Sequence, residues 1–353
     1  MTTRRATISD VARAAGVAPS TASVVFSGKT PVSGPTRLKV LVAAEELGYT
    51  GPDPRAASLR RGRSGIVAVV FEGPLGSAFL DPVQRLMMDG LSEAVAPLGA
   101  GLLLLRDPVE AGEADPSAPT LITAPIDAAV LIGCSPILRH SLEAVQARGI
   151  PVVVIEGDAG DGVPRILLDN REAQRQAAQH LRDLGHENVA IVTLGRDKRR
   201  EAGWVSESDE ITVDVTRDRL AGARDVYPDA RAFSAATSTI DGGTAAGRIV
   251  LSDPESRPTA VIAQSDLLAT GVIRAAEELG LRVPEDVSVT GFDGVPVDGL
   301  APYVLTTLVQ AATEKGRAAG AVIAAMLDDR EPSSLLFTCE FRPGNTTGPS
   351  AMR

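Results

Sequence analysis

The sequence contains few of the residues that form covalent or metal-bound frameworks. Its 353 residues include two cysteines, Cys134 and Cys339, and three histidines. Two cysteines exclude a disulfide framework and a four-cysteine zinc site, and three histidines leave few ligands for a metal cluster. We therefore predict a fold that is stabilised by packing alone and needs no cofactor.

Membrane-spanning and secreted classes are disfavoured as well. No apolar run approaches the ~20 residues that a membrane-spanning helix needs. No apolar segment follows the basic N-terminus, because Ser9, Asp10 and Arg13 interrupt the sequence there. Aromatic residues make up only 3% of the chain, which argues against a ligand cage of stacked rings. We expect a cytoplasmic protein without a membrane partner.

Charge is distributed unevenly along the chain. Residues 1–64 carry ten basic and four acidic residues, a net charge of +6, whereas the rest carries 25 basic and 41 acidic residues, a net charge of −16. A basic head on an acidic body is expected when a small segment binds phosphates and a larger one has another task. A basic disordered tail is the alternative.

The pattern of the head favours three short helices over a disordered tail. Thr7 and Asp10 have the spacing of a capping box at a helix start, and Gly16 supplies a tight turn. Pro19 suits the first position of a second helix, and Ser33 suits the cap of a third. Helix, short turn and helix together indicate a helix-turn-helix.

Beyond residue 64, strand-like and helix-like segments alternate. This alternation predicts parallel sheets covered by helices, and the remaining 289 residues exceed one comfortable sheet. The predicted fold is α/β, with a small all-α helix-turn-helix head plus two doubly wound parallel-sheet subdomains. The strand-like apolar runs are 66–71, 102–105, 128–132, 152–155, 166–168, 189–194, 260–263 and 287–291.

Residues 6–49, which read ATISDVARAAGVAPSTASVVFSGKTPVSGPTRLKVLVAAEELGY, resemble the DNA-binding head of the LacI/GalR family of bacterial transcription regulators. Residues 50–64 resemble the hinge of that family, with one residue inserted near Gly51. The rest is similar to the family's effector-binding core, which is like a type I periplasmic binding protein. The motifs that carry this likeness are Asp169-Asn170 and residues 217–222, 263–266, 289–293 and 305–307.

The resemblance implies a division of the chain into a head, a hinge and a core that binds effector and dimerises. In the core, each subdomain takes up two separate stretches of chain. The expected boundaries are 1–49 for the head, 50–64 for the hinge and 65–353 for the core, with an N-subdomain of about 65–166 plus 310–330 and a C-subdomain of about 167–309 plus 331–353.

The resemblance also implies which residues contact DNA. Pro19, Ser20 and Val24 stand where the family commonly places its major-groove base readers, and the arginine often found at the Val24 position is missing. A bidentate contact to guanine is therefore absent there. Ala56 and Leu59 are the implied minor-groove residues, with Leu59 as an apolar wedge. Phosphate contacts are expected from Thr7, Ser9, Ser23, Ser33, Thr36 and Tyr49.

In the core, the resemblance implies a cleft that holds a small molecule, the effector. Arg219 and Asp293 are the implied effector ligands, because a guanidinium holds two vicinal oxygens and a carboxylate accepts from two hydroxyls. A structural ion pair between them is the alternative. Ser265, Glu156 and Phe79 are further candidates, and the effector is expected to be a small polar molecule such as a sugar.

Residues 195–218 depart from the family pattern, because this connection is longer and carries charges of both signs. A mixed charge run of this kind predicts a solvated loop. The alternative is an element that shapes the mouth of the cleft, since the segment contains Trp204 and precedes Arg219.

An enzyme is the rival class. Gly28-Lys29-Thr30 resembles the end of a phosphate-binding loop, but Ser23 stands where that motif needs glycine. His180 and His186 have no cysteine or carboxylate nearby at zinc spacing. A hydrolase built on carboxylates alone stays open from sequence, because such a pair is recognised by geometry. We predict no catalytic residue.

The prediction is thus a homodimeric, nucleoid-associated repressor that binds a pseudo-palindromic operator in double-stranded DNA. Its operator affinity would be controlled by the effector in the cleft. A regulator that needs its effector as co-repressor is the alternative within the family, and a carbohydrate-acting enzyme or a pure ligand-binding protein is the alternative outside it. The sequence leaves the effector, the sign of its action, the operator and the regulated genes open.

Overall fold

The structure is a computed structural model that describes residues 6–28, 30–51, 62–106, 118–133, 138–157, 159–197 and 199–350, with the backbone alone for residues 118–120. Two compact units are present, Met1–Gly65 and Ile66–Arg353. Among the described residues, every helix is too short or too polar to cross a membrane.

The described residues of the first unit form three helices, as the sequence predicts: α1 (Ile8–Ala15), α2 (Pro19–Ser27) and α3 (Gly34–Glu46). The capping box is present, since the Asp10 amide donates to the Thr7 hydroxyl and the Thr7 amide donates to the Asp10 carboxylate. Gly16 ends α1 in the left-handed conformation, which frees the chain to turn into α2. Buried aliphatic residues from all three helices form one small core: Val11, Ala12, Ala22, Val25, Val40, Ala43 and Ala44.

The second unit contains two mainly parallel sheets, each with helices on both faces. The first sheet has the strand order β12-β5-β4-β3-β1-β2 and is parallel throughout. Its strands are β1 (Ile66–Phe71), β2 (Gly101–Arg106), β3 (Ala128–Ile132), β4 (Val152–Ile155), β5 (Arg165–Leu168) and β12 (Leu335–Phe337). Its helices are α4 (Leu75–Leu80), α5 (Pro82–Val95), a short 3-10 turn (Ala96–Leu98), α6 (Ala118–Thr123), α7 (Arg139–Ala147) and α12 (Ala312–Leu327).

The second sheet has the order β10-β9-β6-β8-β7, and only β7 runs antiparallel to its neighbour. Its strands are β6 (Val189–Thr193), β7 (Gly203–Trp204), β8 (Arg231–Ser234), β9 (Ala260–Ala263) and β10 (Ser288–Thr290). Its helices are α8 (Asn170–Asp183), α9 (Asp214–Arg224), α10 (Ile240–Leu251) and α11 (Asp266–Glu278). A separate antiparallel pair is formed by β11 (Thr307–Val309) and β13 (Glu340–Arg342). These strands lie on the crossover segments, where the chain passes from the second sheet to α12 and where it returns after β12.

The end of the chain differs from the predicted division. Residues 331–353 are predicted to belong to the C-subdomain, but β12 pairs with β5 and extends the first sheet. The reason is that Leu335, Leu336 and Phe337 match the apolar residues of β5 in register. The last residues do join the second sheet, because the Val289 amide donates to the carbonyl of Thr346.

Helices α5 and α12 pack closely on one face of the first sheet, and glycines permit the close approach. A Cβ on Gly90 would lie 2.0 Å from the carbonyl oxygen of Thr313, and one on Gly316 would lie 2.0 Å from that of Met87. The backbone of α12 is therefore held against α5 beside the crossover segments, which fixes the position of its first turn.

Candidate functional site: the cleft between the two sheets

A cavity of about 420 Å³ lies between the two subdomains of the second unit. Loops that follow strands β1, β3 and β4 of the first sheet line one side, and loops that follow β6, β8, β9 and β10 line the other. The carboxyl ends of the parallel strands of both sheets therefore face the cavity, and open α/β sheets bind ligands at these ends. The volume falls within the range of small-molecule sites.

Four of the five predicted effector residues line this cavity. They are Glu156, Arg219, Ser265 and Asp293. Phe79 is not among the lining residues, because α4 turns its buried face, at Ala78, toward the core and leaves Phe79 54% exposed. The prediction of Phe79 as an effector contact is therefore not supported by the geometry.

Arg219, on α9, is buried and held by three neighbours. Its Nε donates to Oδ1 of Asn170 at 2.9 Å, and its Nη1 donates to the carbonyl oxygen of Gln264 at 2.5 Å. The guanidinium lies 3.5 Å from the ring centroid of Phe292, a cation–π contact. Its direction in the cleft is fixed before any ligand arrives, which reduces the entropy lost on binding.

Asp293 faces Arg219 across a short gap. Its Oδ1 lies 3.6 Å from Arg219 Nη1, which is an ion pair but is too long for a good hydrogen bond. The same oxygen accepts a hydrogen bond of 2.7 Å from Nε2 of Gln310. The backbone φ of Asp293 is 117°, a strained conformation for a residue with a side chain, and strain of this kind is concentrated at functional sites.

Buried carboxyl groups surround this pair. Burial raises the pKa of Asp293 well above the usual aspartate value, and Asp266 and Asp81 act in the same direction while Arg219 opposes it. Burial also raises the pKa of Asp266 to about 6, against hydrogen bonds from Thr307 and the Val295 amide. The cleft is therefore rich in groups that exchange protons or accept from hydroxyls.

Ser265 and Glu156 occupy the two sides of the cavity. The Ser265 hydroxyl caps α11 by accepting from the Leu268 amide at 3.2 Å. Glu156 accepts from Nδ2 of Asn170 at 3.3 Å and from the ammonium of Lys315. Burial acts to raise the pKa of Glu156, but the charges of Lys315 and Arg219 outweigh it and lower the pKa below the usual glutamate value.

Several residues at the cleft were absent from the predicted site: Asn170, Gln264, Gln310 and Lys315. Their partners lie far away in sequence, so spacing gives no signal for most of them. Lys315 is the exception. It lies three residues after buried Ala312 and four before buried Ala319, so it sits on the apolar face of a helix, where an unpaired charge is costly.

Segment 195–218 contributes to the cleft mouth. Gly195, Asp197 and Arg200 line the cavity, as do Val213 and Val215. An ion pair of 3.1 Å between Arg196 and Asp209 and the pairing of β7 with β8 hold the segment in place. Of the two sequence alternatives, the geometry supports the element that shapes the cleft mouth over a solvated loop.

Trp204 itself lies away from the cleft, on β7. Its ring contacts that of Phe233 with a centroid distance of 5.3 Å, and the guanidinium of Arg231 stacks on it at 3.8 Å.

In the first unit, α2 presents the predicted base readers. Pro19 and Ser20 are exposed, and Ser23 and Val24 are half-buried. The helix has the sequence PSTASVVFS and carries no charged side chain, so any base contact from it uses hydroxyls or apolar groups. Thr21 lies beside them and is also half-buried.

The predicted phosphate contacts lie at the ends of the helices. Ser9 is exposed, and the Thr7 hydroxyl donates to Asp10 at 2.6 Å. The hydroxyls of Ser33 and Thr36 lie 2.8 Å apart, and Ser33 makes no capping bond to the backbone of α3. The ring of Tyr49 packs edge-on against Phe26 in the small core. The predicted minor-groove residues, Ala56 and Leu59, lie outside the described residues.

Comparison with protein-family models matches two parts of the chain. Residues 7–51 match the model of bacterial regulatory proteins of the lacI family, and residues 178–347 match a periplasmic binding protein-like domain.

Relatives similar over nearly the whole chain are named transcription regulators. The HTH-type transcriptional regulator Rv3575c of Mycobacterium tuberculosis is 33% identical, with 99% of this chain and 98% of the relative covered. The HTH-type transcriptional regulator IpsA of Corynebacterium glutamicum is 32% identical, with 97% and 98% covered.

Solved structures share the fold. A lac repressor dimer bound to operator and the anti-inducer ONPF is 22% identical, with a TM-score of 0.77 and 98% and 100% of the two chains covered. A complex of the transcriptional regulator CelR with cellobiose is 24% identical, with a TM-score of 0.65 and 97% and 100% covered.

Proposed function

The chain belongs to the LacI family of bacterial transcription regulators, and from that premise we propose that it is a homodimeric repressor controlled by a hydroxyl-rich small molecule in the cleft. The dimer would bind a pseudo-palindromic operator, because the two-fold symmetry of a protein dimer is mirrored in the half-sites of its DNA. A cytoplasmic location follows from this role.

The observation that carries the proposal is the facing pair of Arg219 and Asp293. Their 3.6 Å separation leaves the ion pair short of a direct hydrogen bond. A ligand with two vicinal hydroxyl groups satisfies both side chains, since one hydroxyl accepts from the guanidinium and the other donates to the carboxyl group. The sugar-bound CelR structure shows that this fold accommodates such ligands.

Operator recognition would divide between the head and the hinge. Pro19, Ser20 and Val24 would read base edges in the major groove, while Leu59, supported by Ala56, would enter the minor groove as an apolar wedge. Hydroxyls at the helix ends would hold phosphates and position the head. These are Thr7, Ser9, Ser23, Ser33, Thr36 and Tyr49.

Effector binding and DNA binding would be coupled through the two subdomains of the core. A ligand that holds the subdomains in one arrangement changes how two hinges meet the operator, so each ligand alters the affinity of the other by the same factor. An inducer lowers operator affinity, and a co-repressor raises it. The lac repressor structure with operator and anti-inducer shows that one fold holds both ligands at once.

We assign no catalytic role to the cleft carboxyl groups. Glu156 is engaged by Lys315 and Asn170, and Asp293 by Gln310 and Arg219, an arrangement that suits side chains held in place to bind a ligand. A turnover assay on the bound sugar tests this assignment, and measurable conversion would overturn it.

The experiment begins with selection and sequencing of genomic DNA fragments that the purified protein captures at near-physiological salt, where non-specific binding is weak. Operator affinity is then measured by fluorescence anisotropy while a panel of sugars, sugar alcohols and sugar phosphates is titrated. A sharp palindromic site and an affinity change with one of these compounds are expected. No enriched site, with or without the panel, would contradict the proposal.

Matched variants on α9 assign the response to the cleft. Arg219→Ala is expected to keep operator binding within about twofold and to lose the response, since charge-assisted hydrogen bonds contribute about 1.5–3 kcal/mol. Arg217→Ala removes the same charge from the exposed side of α9, where Arg217 pairs with Asp214, and is expected to behave as wild type. An unchanged response in Arg219→Ala would contradict the assignment.

A further inference from the structure

A closed ring of six side chains lies at the floor of the cleft and joins the two subdomains. In one half of the ring, the ammonium of Lys315 donates to Oε1 of Glu156, whose Oε2 accepts from Asn170 at 3.3 Å. Asn170 in turn accepts from Arg219 at 2.9 Å. This half runs from the first-sheet helix α12 to the second-sheet helices α8 and α9.

The other half returns through the crossover segments. Arg219 faces Asp293 at 3.6 Å, and Asp293 accepts from Gln310 at 2.7 Å. The carbonyl oxygen of the Gln310 side chain accepts from Lys315 at 2.5 Å, which closes the ring. The link between Arg219 and Asp293 is therefore the longest of the six, and both residues line the cavity.

Lys315 and Asn170 are the two ring members that do not line the cavity, and Lys315 is the one of the two that carries a charge. Its side chain has 0% exposure, and an ammonium taken out of water is costly unless charged and polar partners compensate it. The close packing of α12 on α5 at Gly316 holds the residue in place. A buried lysine behind a ligand cleft thus acts on the ligand only through a partner that the ligand touches.

We propose that Lys315 is a positioning residue of the effector site, which keeps the Glu156 carboxylate ionised and fixed as an acceptor for effector hydroxyls. Lys315 and Asn170 each occupy one oxygen of Glu156, and the remaining lone pairs are available on the cavity side. The Arg219–Asp293 link is where the ring opens to admit hydroxyl groups. The proposal rests on the proposed function for the identity of the site as an effector site.

The groups that face Glu156 support this role. Lys315 on α12 and Arg219 on α9 are the cations, and both lower the pKa of Glu156, whereas burial raises it. Asp293 is the facing carboxyl group across the ring. Cys339 lies near as well, and burial raises the pKa of its thiol to about 12, so it stays neutral.

The test measures the ionisation of Glu156 directly in the full-length protein, without DNA or effector. Glutamate is labelled with carbon-13 at the carboxyl group, and the NMR signal that disappears in Glu156→Gln is followed through a pH titration. In Lys315→Met the midpoint is expected to rise by about 1–3 pH units, the usual effect of losing a nearby opposite charge. Lys315→Arg is expected to keep the midpoint of the wild type.

Arg317→Met is the matched control. Arg317 lies on the same helix but is exposed and pairs with Glu93 and Glu314, so its loss is expected to leave the Glu156 midpoint unchanged. Equal midpoints in wild type and Lys315→Met would overturn the proposal. If Lys315→Met does not fold, the titration of the wild type alone tests the proposal. A Glu156 midpoint above the ordinary glutamate value would then overturn the proposal.

A functional arm separates this proposal from the proposed function. Operator release by glucose, ribose and cellobiose is measured from pH 5 to pH 8 in wild type and Lys315→Met. A sugar that acts on the wild type is expected to lose its effect on the variant as the pH falls, because Glu156 becomes protonated there. A response in Lys315→Met with the wild-type pH profile would overturn the role of Lys315. Failure of every sugar on the wild type counts against a sugar effector, and the ionisation result still decides on Lys315.

Discussion

Two cavities lie at opposite ends of the second sheet, and they differ in the burial and the charge of the side chains that line them. The cleft, of about 420 Å³, lies at the carboxyl ends of the strands, and a second cavity of about 510 Å³ lies at their amino ends. Arg219 and Asp293 in the cleft are nearly fully buried, whereas Arg231 in the second cavity is exposed and stacks on Trp204. Volume alone would favour the amino ends of the strands, whereas buried groups of opposite charge meet at the carboxyl ends, where we propose the effector site.

The largest expected difference between the two ends is in stability. Lys315→Met leaves Glu156 buried without its cation and is expected to lower the free energy of unfolding by about 3–5 kcal/mol. Arg231→Met removes an exposed cation–π contact at the second cavity, which contributes about 0.5–1 kcal/mol. Denaturant unfolding measures both. Adding Glu156→Gln to Lys315→Met should recover most of the loss, and a double variant as unstable as the single one would contradict the pairing.

The second largest expected difference is in effector affinity, which a substitution in the cleft should lower and the same substitution in the second cavity should not. Asp293→Asn keeps the shape of the side chain but replaces one acceptor oxygen by an amide nitrogen that only donates, so the sugar concentration for half-maximal operator release should rise about 10–100-fold. Asp229→Asn makes the same change at the second cavity and is expected to shift that concentration less than twofold. Similar shifts in both variants would remove the distinction between the cavities.

Groups near the two ends of the second sheet should also contribute to the stability of the fold with opposite dependence on pH. The pKa of Asp266, near the cleft, is raised to about 6 by burial, so the folded state holds its proton more tightly than the unfolded state. Its contribution to stability is present at low pH and is lost as the pH rises from the ordinary aspartate value to about 6. His186, which hydrogen bonds to Thr259 and Gly348 next to the second cavity, has a pKa lowered by burial. Its contribution is present above the ordinary histidine pKa and is lost as the pH falls.

Unfolding measured between pH 4 and pH 8 in Asp266→Asn and His186→Gln isolates the two contributions. In a plot of the free energy of unfolding against pH, Asp266→Asn should remove the stabilisation that is present only at low pH. His186→Gln should remove the stabilisation that is present only at high pH. Slopes that change in the same direction in both variants would contradict the assignment.

The smallest expected effect concerns Trp204. Trp204→Phe keeps an aromatic ring against Phe233 and alters only the second cavity. Operator affinity and sugar response, both measured by anisotropy of labelled DNA, should stay within about twofold of wild type. A tenfold loss of response would mean that β7 transmits effector binding or that the effector lies at the amino ends of the strands.

The parts of the fold that follow from the sequence depend on local signals. The capping box at Thr7, the left-handed Gly16 and the proline at the start of α2 specify the head from neighbouring residues. Apolar runs reveal most strands of both sheets. By contrast, β12 becomes a strand only by pairing with β5, and Leu335 and Ile166 are far apart in the chain. Helix α10 gives a weak local signal, because its first turns are rich in glycine, a poor helix former.

The candidate site divides in the same way. Arg219 and Asp293 stand in motifs that the resemblance marks, so the sequence predicts them. Glu156 and Lys315 meet across 159 positions, whereas Lys315 and Gln310 are neighbours at the start of α12. No local pattern encodes the contact between Glu156 and Lys315. A lysine on an apolar helix face signals a buried partner without identifying it.

The measurement that tests the central claim most directly is operator release in two variants that differ only in the cavity they alter. With the sugar that gives the strongest response in the wild type, Arg219→Ala should lose the response and Arg231→Ala should keep it, while both bind the operator. The reverse, a response that survives in Arg219→Ala and disappears in Arg231→Ala, would contradict the placement of the effector in the cleft between the two sheets.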